Sequence, residues 1–133
     1  MDNQSCVKII TEWDIVAARQ LGRNVAKELG FGTVDQARIT TAISELARNI
    51  YLYAGQGQIC IEQISEFSKK GLKIIAIDNG PGIPDVRKVM EDGFSTSGGL
   101  GAGLPGVKRL MDEFSIDTVL GEGTDIQAVK WLR

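Results

Sequence analysis

The sequence predicts an α/β chain, a two-layer sandwich in which a mixed, mostly antiparallel sheet packs one face on helices. Three observations point there. Two long segments with helical periodicity stand side by side ahead of Gly55. Short apolar or alternating segments follow, separated by hairpin-length turns. From Gly80 to Gly106 lies a stretch with all three prolines and half of the 16 glycines. Such a density marks a loop, and a long loop inside a compact domain is usually functional or disordered.

Cys6 to Ile10 reads as a short strand with β-branched residues. Thr11, with Asp14 three residues on, opens a helix expected from Glu12 to Leu29, and Gly30 follows as its C′ residue. Ala17, Leu21, Val25 and Leu29 form one row on it, and Arg19, Arg23 and Lys27 a neighbouring row. The basic row reads as a solvated face or as a docking face for an acidic partner.

The central helix is expected from about Val34 to Ala54, opened by a capping box in Thr33-Val-Asp-Gln36. Gly55-Gln-Gly57 breaks it. Gln58 to Phe67 alternates as a half-buried strand does, Ser68 to Gly71 is a turn, and Leu72 to Ile77 is an apolar, central strand closed by Asp78. Asp85 to Glu91 suits a short helix after Pro84. Pro105 suits the first turn of another, expected to carry Val107, Leu110 and Met111 inward and to reach about Phe114. Ser115 to Leu120 and Thr124 to Leu132 are strands joined by Gly121-Glu-Gly123.

The length of 133 residues suits a single domain, 1–133. A net charge of −2 and a pI near 5.2 give no argument for nucleic acid or an anionic membrane. No apolar run approaches the ~20 residues of a membrane span, and no signal peptide is visible. Cys6 and Cys60 have no C-x-x-C context and read as free thiols in a reducing cytoplasm. The chain has no histidine, which excludes Ser-His-Asp and Cys-His catalysis, His₃ zinc sites and phosphohistidine chemistry within it.

The chemistry concentrates in three places. Glu45 and Asn49 are four residues apart and share one face of the central helix, beside the stripe Ile39, Ile43, Leu46 and Ile50. The carboxamide oxygen suits Mg²⁺ and the carboxylate can take a proton from an attacking hydroxyl, although such a pair is more often a solvated edge. Asp78-Asn-Gly-Pro-Gly82 opens a loop from a strand end. A carboxylate there is expensive unless paired, and an exocyclic amine such as adenine N6 would pair with it; the plain alternative is an Asx turn. Gly98-Gly-Leu-Gly-Ala-Gly103 precedes a helix, so its amides could form a phosphate site or the loop could simply be flexible. The literal G-x-G-x-x-G from Gly101 to Gly106 is not a dinucleotide fingerprint, because no strand precedes it. A Walker loop is excluded by the lack of any Gly-Lys pair.

These motifs, with Gly121-Glu-Gly123-Thr124, occur in the order and spacing of the GHKL ATPase superfamily of DNA gyrase B, Hsp90, histidine kinases and MutL. The chain resembles its anti-sigma-factor kinase branch, and within it the serine/threonine switch kinases of the stressosome, from Ser5 to Arg133. The resemblance implies the Bergerat fold, with ATP between the helices and a lid from about Asp85 to Leu100. It implies Glu45 as catalytic base and Asn49 as the ligand of a Mg²⁺ that bridges the phosphates. Asp78 would bind adenine N6 with Thr124 beside it, Gly80 and Gly82 would lie in the ATP site, and Gly99, Gly101 and Gly103 would line the phosphates. No Lys or Arg stands beside those glycines; Arg87, Lys88 and Lys108 are the nearest.

The implied activity is transfer of the ATP γ-phosphate to serine or threonine of STAS-domain scaffold and antagonist proteins of RsbS and RsbR type. After release, the kinase would bind and activate a PP2C-type phosphatase of RsbU type in a general-stress sigma-factor pathway. The alternatives are a nucleotide-gated ATPase, whose relatives use further domains, and an anti-sigma-type binding module with little catalysis.

Overall fold

The computed structural model describes residues 4–91 and 103–133. Ten elements follow in order. These are β1 (Gln4–Ile9), α1 (Glu12–Leu29), α2 (Thr33–Asn49), a π-helical turn (Ile50–Ala54), β2 (Gly57–Glu66), β3 (Lys69–Asp78), α3 (Val86–Val89), α4 (Gly103–Leu110), β4 (Glu113–Val119) and β5 (Gly123–Trp131). The strands form one sheet in the order β1-β2-β3-β5-β4. Every pairing among the described residues is antiparallel, so the expected mixed sheet is a purely antiparallel one. No two neighbouring strands among the described residues are parallel, so the adjacent-strand βαβ unit of a dinucleotide fold is missing here, which also removes the dinucleotide reading of the glycine loop.

The sheet's inner face is built by alternation. Ile59 and Ile61 of β2, Ile74 and Ala76 of β3, and Ile126 and Ala128 of β5 all lie in register and are buried. Helix α2 lays Ile39, Ile43 and Leu46 on them, and Val107 of α4 joins the same core. Helix α1 packs beside α2 through a seam one residue round from the expected row. Ala18, Gly22 and Ala26 are buried, while Leu21, Val25 and Leu29 flank them half-buried and Ala17 is exposed. The small residues let the two helices approach closely. A Cβ on Gly22 would collide with the Ile43 side chain.

Local signals set the ends of α1 as expected. The Asp14 carboxylate accepts from the backbone N–H of Thr11 at 2.8 Å and of Ile10 at 2.9 Å, and Gly30 closes the helix at φ 98°. These bonds hold the Asp14 carboxyl below its ordinary pKa, that from Thr11 contributing most and that from Ile10 next.

Five further expectations are corrected. The Thr33 capping box does not form: Gly32 is the N-cap, and the Gln36 amide donates to the Phe31 carbonyl at 2.8 Å instead. The central helix is α-helical only to Asn49 and continues to Ala54 as a π turn. The turn after β2 is the two-residue Phe67-Ser68, both with positive φ, so β3 starts at Lys69. Helix α4 stops at Leu110, because Asp112 is drawn into the sheet: its N–H donates to the Val129 carbonyl at 2.8 Å and its carboxylate accepts from the Trp131 N–H at 2.7 Å. Phe114 therefore lies in β4.

The fifth correction concerns Cys6 and Cys60, which are disulfide-bonded rather than free. They stand directly opposite one another in the β1–β2 register, with Cα atoms 4.0 Å apart. Sequence separation hid a pairing that strand register creates. No helix among the described residues is long and apolar enough to cross a membrane.

Candidate active site

Burial of Ile39, Ile43, Leu46 and Ile50 sets the roll of α2 and turns Glu45 and Asn49 along one edge of it. Glu45 is 6% exposed. Its Oε1 accepts from Arg48 Nη1 at 3.0 Å, one turn further along the helix. Its Oε2 is buried and has no hydrogen-bond partner among the described residues; the same holds for Asn49 Oδ1. A buried oxygen left unbonded costs ~1–3 kcal/mol. The two lie one turn apart on α2.

Asp78 ends β3 and forms the Asx turn that its motif favours, Oδ1 accepting from the Gly80 N–H at 2.9 Å. The turn occupies one carboxylate oxygen and leaves the other for a further donor. Gly80 has room for no side chain, since a Cβ would stand 2.7 Å from that of Ala54. Gly82 has φ 80° and lies against the Val119 carbonyl, 2.7 Å from where a Cβ would be. Thr124 faces Asp78 across the β3–β5 register and is buried.

Asn49, Asp78, Gly82, Gly103 and Thr124 line one cavity of about 360 Å³. Ile50, Ala76, Ile126 and Leu104 supply its apolar walls, and Tyr53 and Ala54 of the π turn border it. Its size is that of a small-ligand site, with a few polar groups set in an apolar lining. An apolar slot with a carboxylate at one end suits a planar base bearing an amino group.

Two predicted residues lie elsewhere. Gly80 packs on Ala54, which borders the cavity, and does not line it itself, and Glu45 lines a separate groove between α1 and α2. Asn49 thus lines the cavity and Glu45 the groove, one turn apart on the same edge of α2. Gly99 and Gly101 lie outside the described residues, and the expected lid is described only as far as Glu91. Arg87, Lys88 and Lys108 are exposed and none lines the cavity.

Thr118 escaped the sequence reading. Its hydroxyl oxygen accepts from the Ile83 N–H at 2.9 Å, donates to the Gly123 carbonyl at 3.1 Å and lies 2.9 Å from Thr124 Oγ1. It ties the loop after Asp78 to the floor strand. The only signal was a threonine on the half-buried side of β4, and its opposition to Thr124 depends on register.

Residues 34–132 match the family described as histidine kinase-, DNA gyrase B- and HSP90-like ATPase. The chain is 85% identical over 133 residues, the whole of both chains, to the serine/threonine-protein kinase RsbT of Bacillus subtilis strain 168. It is 32% identical over 100 residues to the anti-sigma F factor of Thermoanaerobacter sp. strain X514, covering 72% of this chain and 70% of that protein. Its fold resembles the crystal structure of the RsbU and RsbW domains of a Mycobacterium tuberculosis protein, with TM-score 0.63 and 20% identity over 97% of this chain and 33% of that one. It also resembles the SiaB–SiaC complex of Pseudomonas aeruginosa, with TM-score 0.60 and 13% identity over 96% of this chain and 89% of that one.

Proposed function

The chain belongs to the histidine kinase-, DNA gyrase B- and HSP90-like ATPase family, and on that premise we propose that it is a protein serine/threonine kinase using ATP. The observation that carries the reading is the pair of buried, unbonded oxygens on α2: Asn49 Oδ1, from a residue of the cavity, and Glu45 Oε2, from a residue of the groove. A nucleotide and its metal at Asn49 and a protein hydroxyl one turn away at Glu45 would complete both.

We assign Asp78 to adenine N6, with Thr124 beside it and Gly80 and Gly82 shaping the base pocket. Gly103 receives the phosphates at the start of α4, together with Gly99 and Gly101. Asn49 fits a Mg²⁺ ion: its hard, neutral oxygen is buried and has no other partner. Among the described residues no group of three or more carboxylates or cysteines could hold a metal, so an ion here would rest on Asn49 and on the phosphates. When bound it would offset phosphate charge.

Glu45 then acts as base. Held by Arg48 through one oxygen, it takes the proton of a serine or threonine hydroxyl through the other, and that hydroxyl oxygen attacks the γ-phosphorus as ADP leaves. The acceptors we assign are STAS-domain scaffold proteins of RsbS and RsbR type, followed by a PP2C-type phosphatase of RsbU type once the kinase is free. The support is the full-length likeness to a kinase of that name and the fold's recurrence beside an RsbU domain and with SiaC. These assignments place the single domain, 1–133, in the cytoplasm.

The test follows phosphate from labelled ATP in the presence of a STAS-domain acceptor. Glu45→Ala should keep ATP binding and lose phosphotransfer by ~10²–10⁴-fold. Asn49→Ala should weaken both binding and transfer. Free phosphate released at one rate whether or not the acceptor serine is present, with no labelled protein, would replace the kinase with a nucleotide-gated ATPase. ATP binding without either product would leave an anti-sigma-type binding module.

A further inference from the structure

We propose that Lys130 is a positioning residue for the phosphates: it fixes the far end of α4 against the start of α2, and so sets where Gly103 meets the nucleotide. This rests on the assignment of Gly103 to the phosphates and adds the part of the fold that holds it there. The core-facing row of β5 runs Thr124, Ile126, Ala128, Lys130, all buried. Thr124 lines the nucleotide cavity at one end of the row. Lys130 closes the other end, ~20 Å away at the rise of a strand, and is 7% exposed. Alternation asks for an apolar side chain at that place, and the chain puts an ammonium there.

That ammonium joins three elements. Lys130 Nζ donates to the Leu110 carbonyl at 3.1 Å, at the C-terminus of α4, where the helix dipole favours a cation. It stands 3.5 Å from Asp112 Oδ1, just after α4, and 3.9 Å from Asp35 Oδ1, in the first turn of α2. Helix α2 runs from this knot to Asn49, and α4 runs from Gly103 to it. Both helices therefore have one end at Lys130 and the other at the cavity.

Stability alone does not account for a charge at this place. A buried ion pair replaced by an apolar side chain of similar volume is often neutral or stabilising. Neither carboxylate depends on Lys130 alone. Asp35 pairs with Arg38 at 2.8 Å, and Asp112 pairs with Arg133 at 3.3 Å and accepts from the Trp131 N–H at 2.7 Å. What Lys130 adds is direction. The buried residues of α4, Leu104, Pro105, Gly106 and Val107, have no polar side-chain atoms, and apolar packing is non-directional. The bond to Leu110 fixes how far α4 can slide along α2, and Gly103 is only ~10 Å from it along the helix.

The experiment uses the whole chain, with Lys130→Met and Lys130→Arg variants and a thermal melt of each. Affinities for ATP and for adenosine come from competition against a fluorescent ATP analogue, and transfer from Mg-ATP to a STAS-domain acceptor gives kcat. Adenosine reads the base pocket alone, and ATP adds the phosphates. Lys130→Met should keep the adenosine affinity. It should lower the ratio of ATP to adenosine affinity, and kcat, about tenfold each, within the ~10²-fold that a 1 Å misplacement costs. Lys130→Arg keeps a charged donor for the Leu110 carbonyl and should recover much of both. If Lys130→Met does not fold, Asp35→Asn loosens the same knot from the half-buried start of α2. It should lower the same ratio and spare adenosine. A ratio and kcat unchanged in the folded variants would overturn the proposal and leave Lys130 as a support of the fold. An equal loss of ATP and adenosine affinity would overturn it too, since general loosening gives that result. Adenosine bound by the wild type as tightly as ATP would overturn the phosphate assignment of Gly103, and this proposal with it.

Discussion

The hydroxyls of Thr118 and Thr124 stand 2.9 Å apart across β4 and β5, and the Thr118 oxygen also receives the Ile83 N–H from the far side of the Asp78 loop. One hydroxyl thereby joins the floor of the cavity to its lip. Thr118→Val keeps the shape and removes both the acceptor and the donor. The Ile83 N–H and the Gly123 carbonyl would each lose a partner, at a cost of ~1–3 kcal/mol per buried group. We expect ATP affinity to fall by about tenfold, ~1.4 kcal/mol, in a calorimetric titration. An unchanged affinity would mean that Thr118 holds strands together and nothing more.

Asp78 gives a sharper test of base recognition. Its carboxylate already bonds the Gly80 N–H, and an asparagine oxygen can keep that bond. Asp78→Asn should therefore fold with a similar Tm yet lose ~1.5–3 kcal/mol of ATP affinity, the value of a hydrogen bond to a charged group. The wild type should prefer ATP to GTP, whose ring presents a carbonyl where adenine has its amine. Equal binding of the two nucleotides would remove Asp78 from the adenine site.

Two glycines of the β4–β5 turn separate conformational strain from crowding. Gly121 has φ 79° and open space around it, whereas Gly123 has φ 135° and packs on the backbone of Asp78 and Asn79. Gly121→Ala should cost ~1–2 kcal/mol, the left-handed penalty alone. Gly123→Ala should cost more and weaken nucleotide binding as well, because the atoms it displaces carry Asp78. Denaturant melts paired with ATP titrations check both; equal losses for the two variants would contradict the crowding argument.

The start of α1 should impose a pH dependence. Backbone N–H groups of Thr11 and Ile10 hold the Asp14 carboxyl below its ordinary pKa. A carboxyl whose folded pKa is lowered stabilises the fold above its unfolded value, ~3.9, and loses that contribution as pH falls through the lower, folded value. Asp14→Asn should therefore lower Tm at neutral pH. The gap to wild type should start to close below about pH 5 and vanish in stronger acid. A gap that does not change with pH would mean that the bonds matter and the charge does not.

Where structure follows from neighbouring residues, the chain could be read directly. Thr11, Asp14 and Gly30 mark the ends of α1, the Ile39–Ile43–Leu46–Ile50 stripe orients α2, and Asp78 sits at a strand end beside glycines that tolerate no side chain. Each is a matter of period, cap or turn, and needs only a few adjacent residues to form. The meeting of Asn49, Asp78, Gly82, Gly103 and Thr124 in one cavity was reachable by resemblance, since their motifs recur in order across a known superfamily.

The rest depended on what meets across the sheet. Register alone sets Cys6 against Cys60 and Thr118 against Thr124. Pairing with β5 ends α4 at Leu110, because Asp112 and Glu113 bond Val129 and Trp131 instead of continuing a helix. Packing on Ala18, Gly22 and Ala26 brings α1 close enough to α2 to form a groove between Arg19, Arg23 and Glu45. Periodicity and turn chemistry act over a few residues and are written into the chain locally. Strand register and helix contact join residues far apart in the chain, and only the assembled fold, burying its apolar faces together, selects among the pairings that the local signals allow.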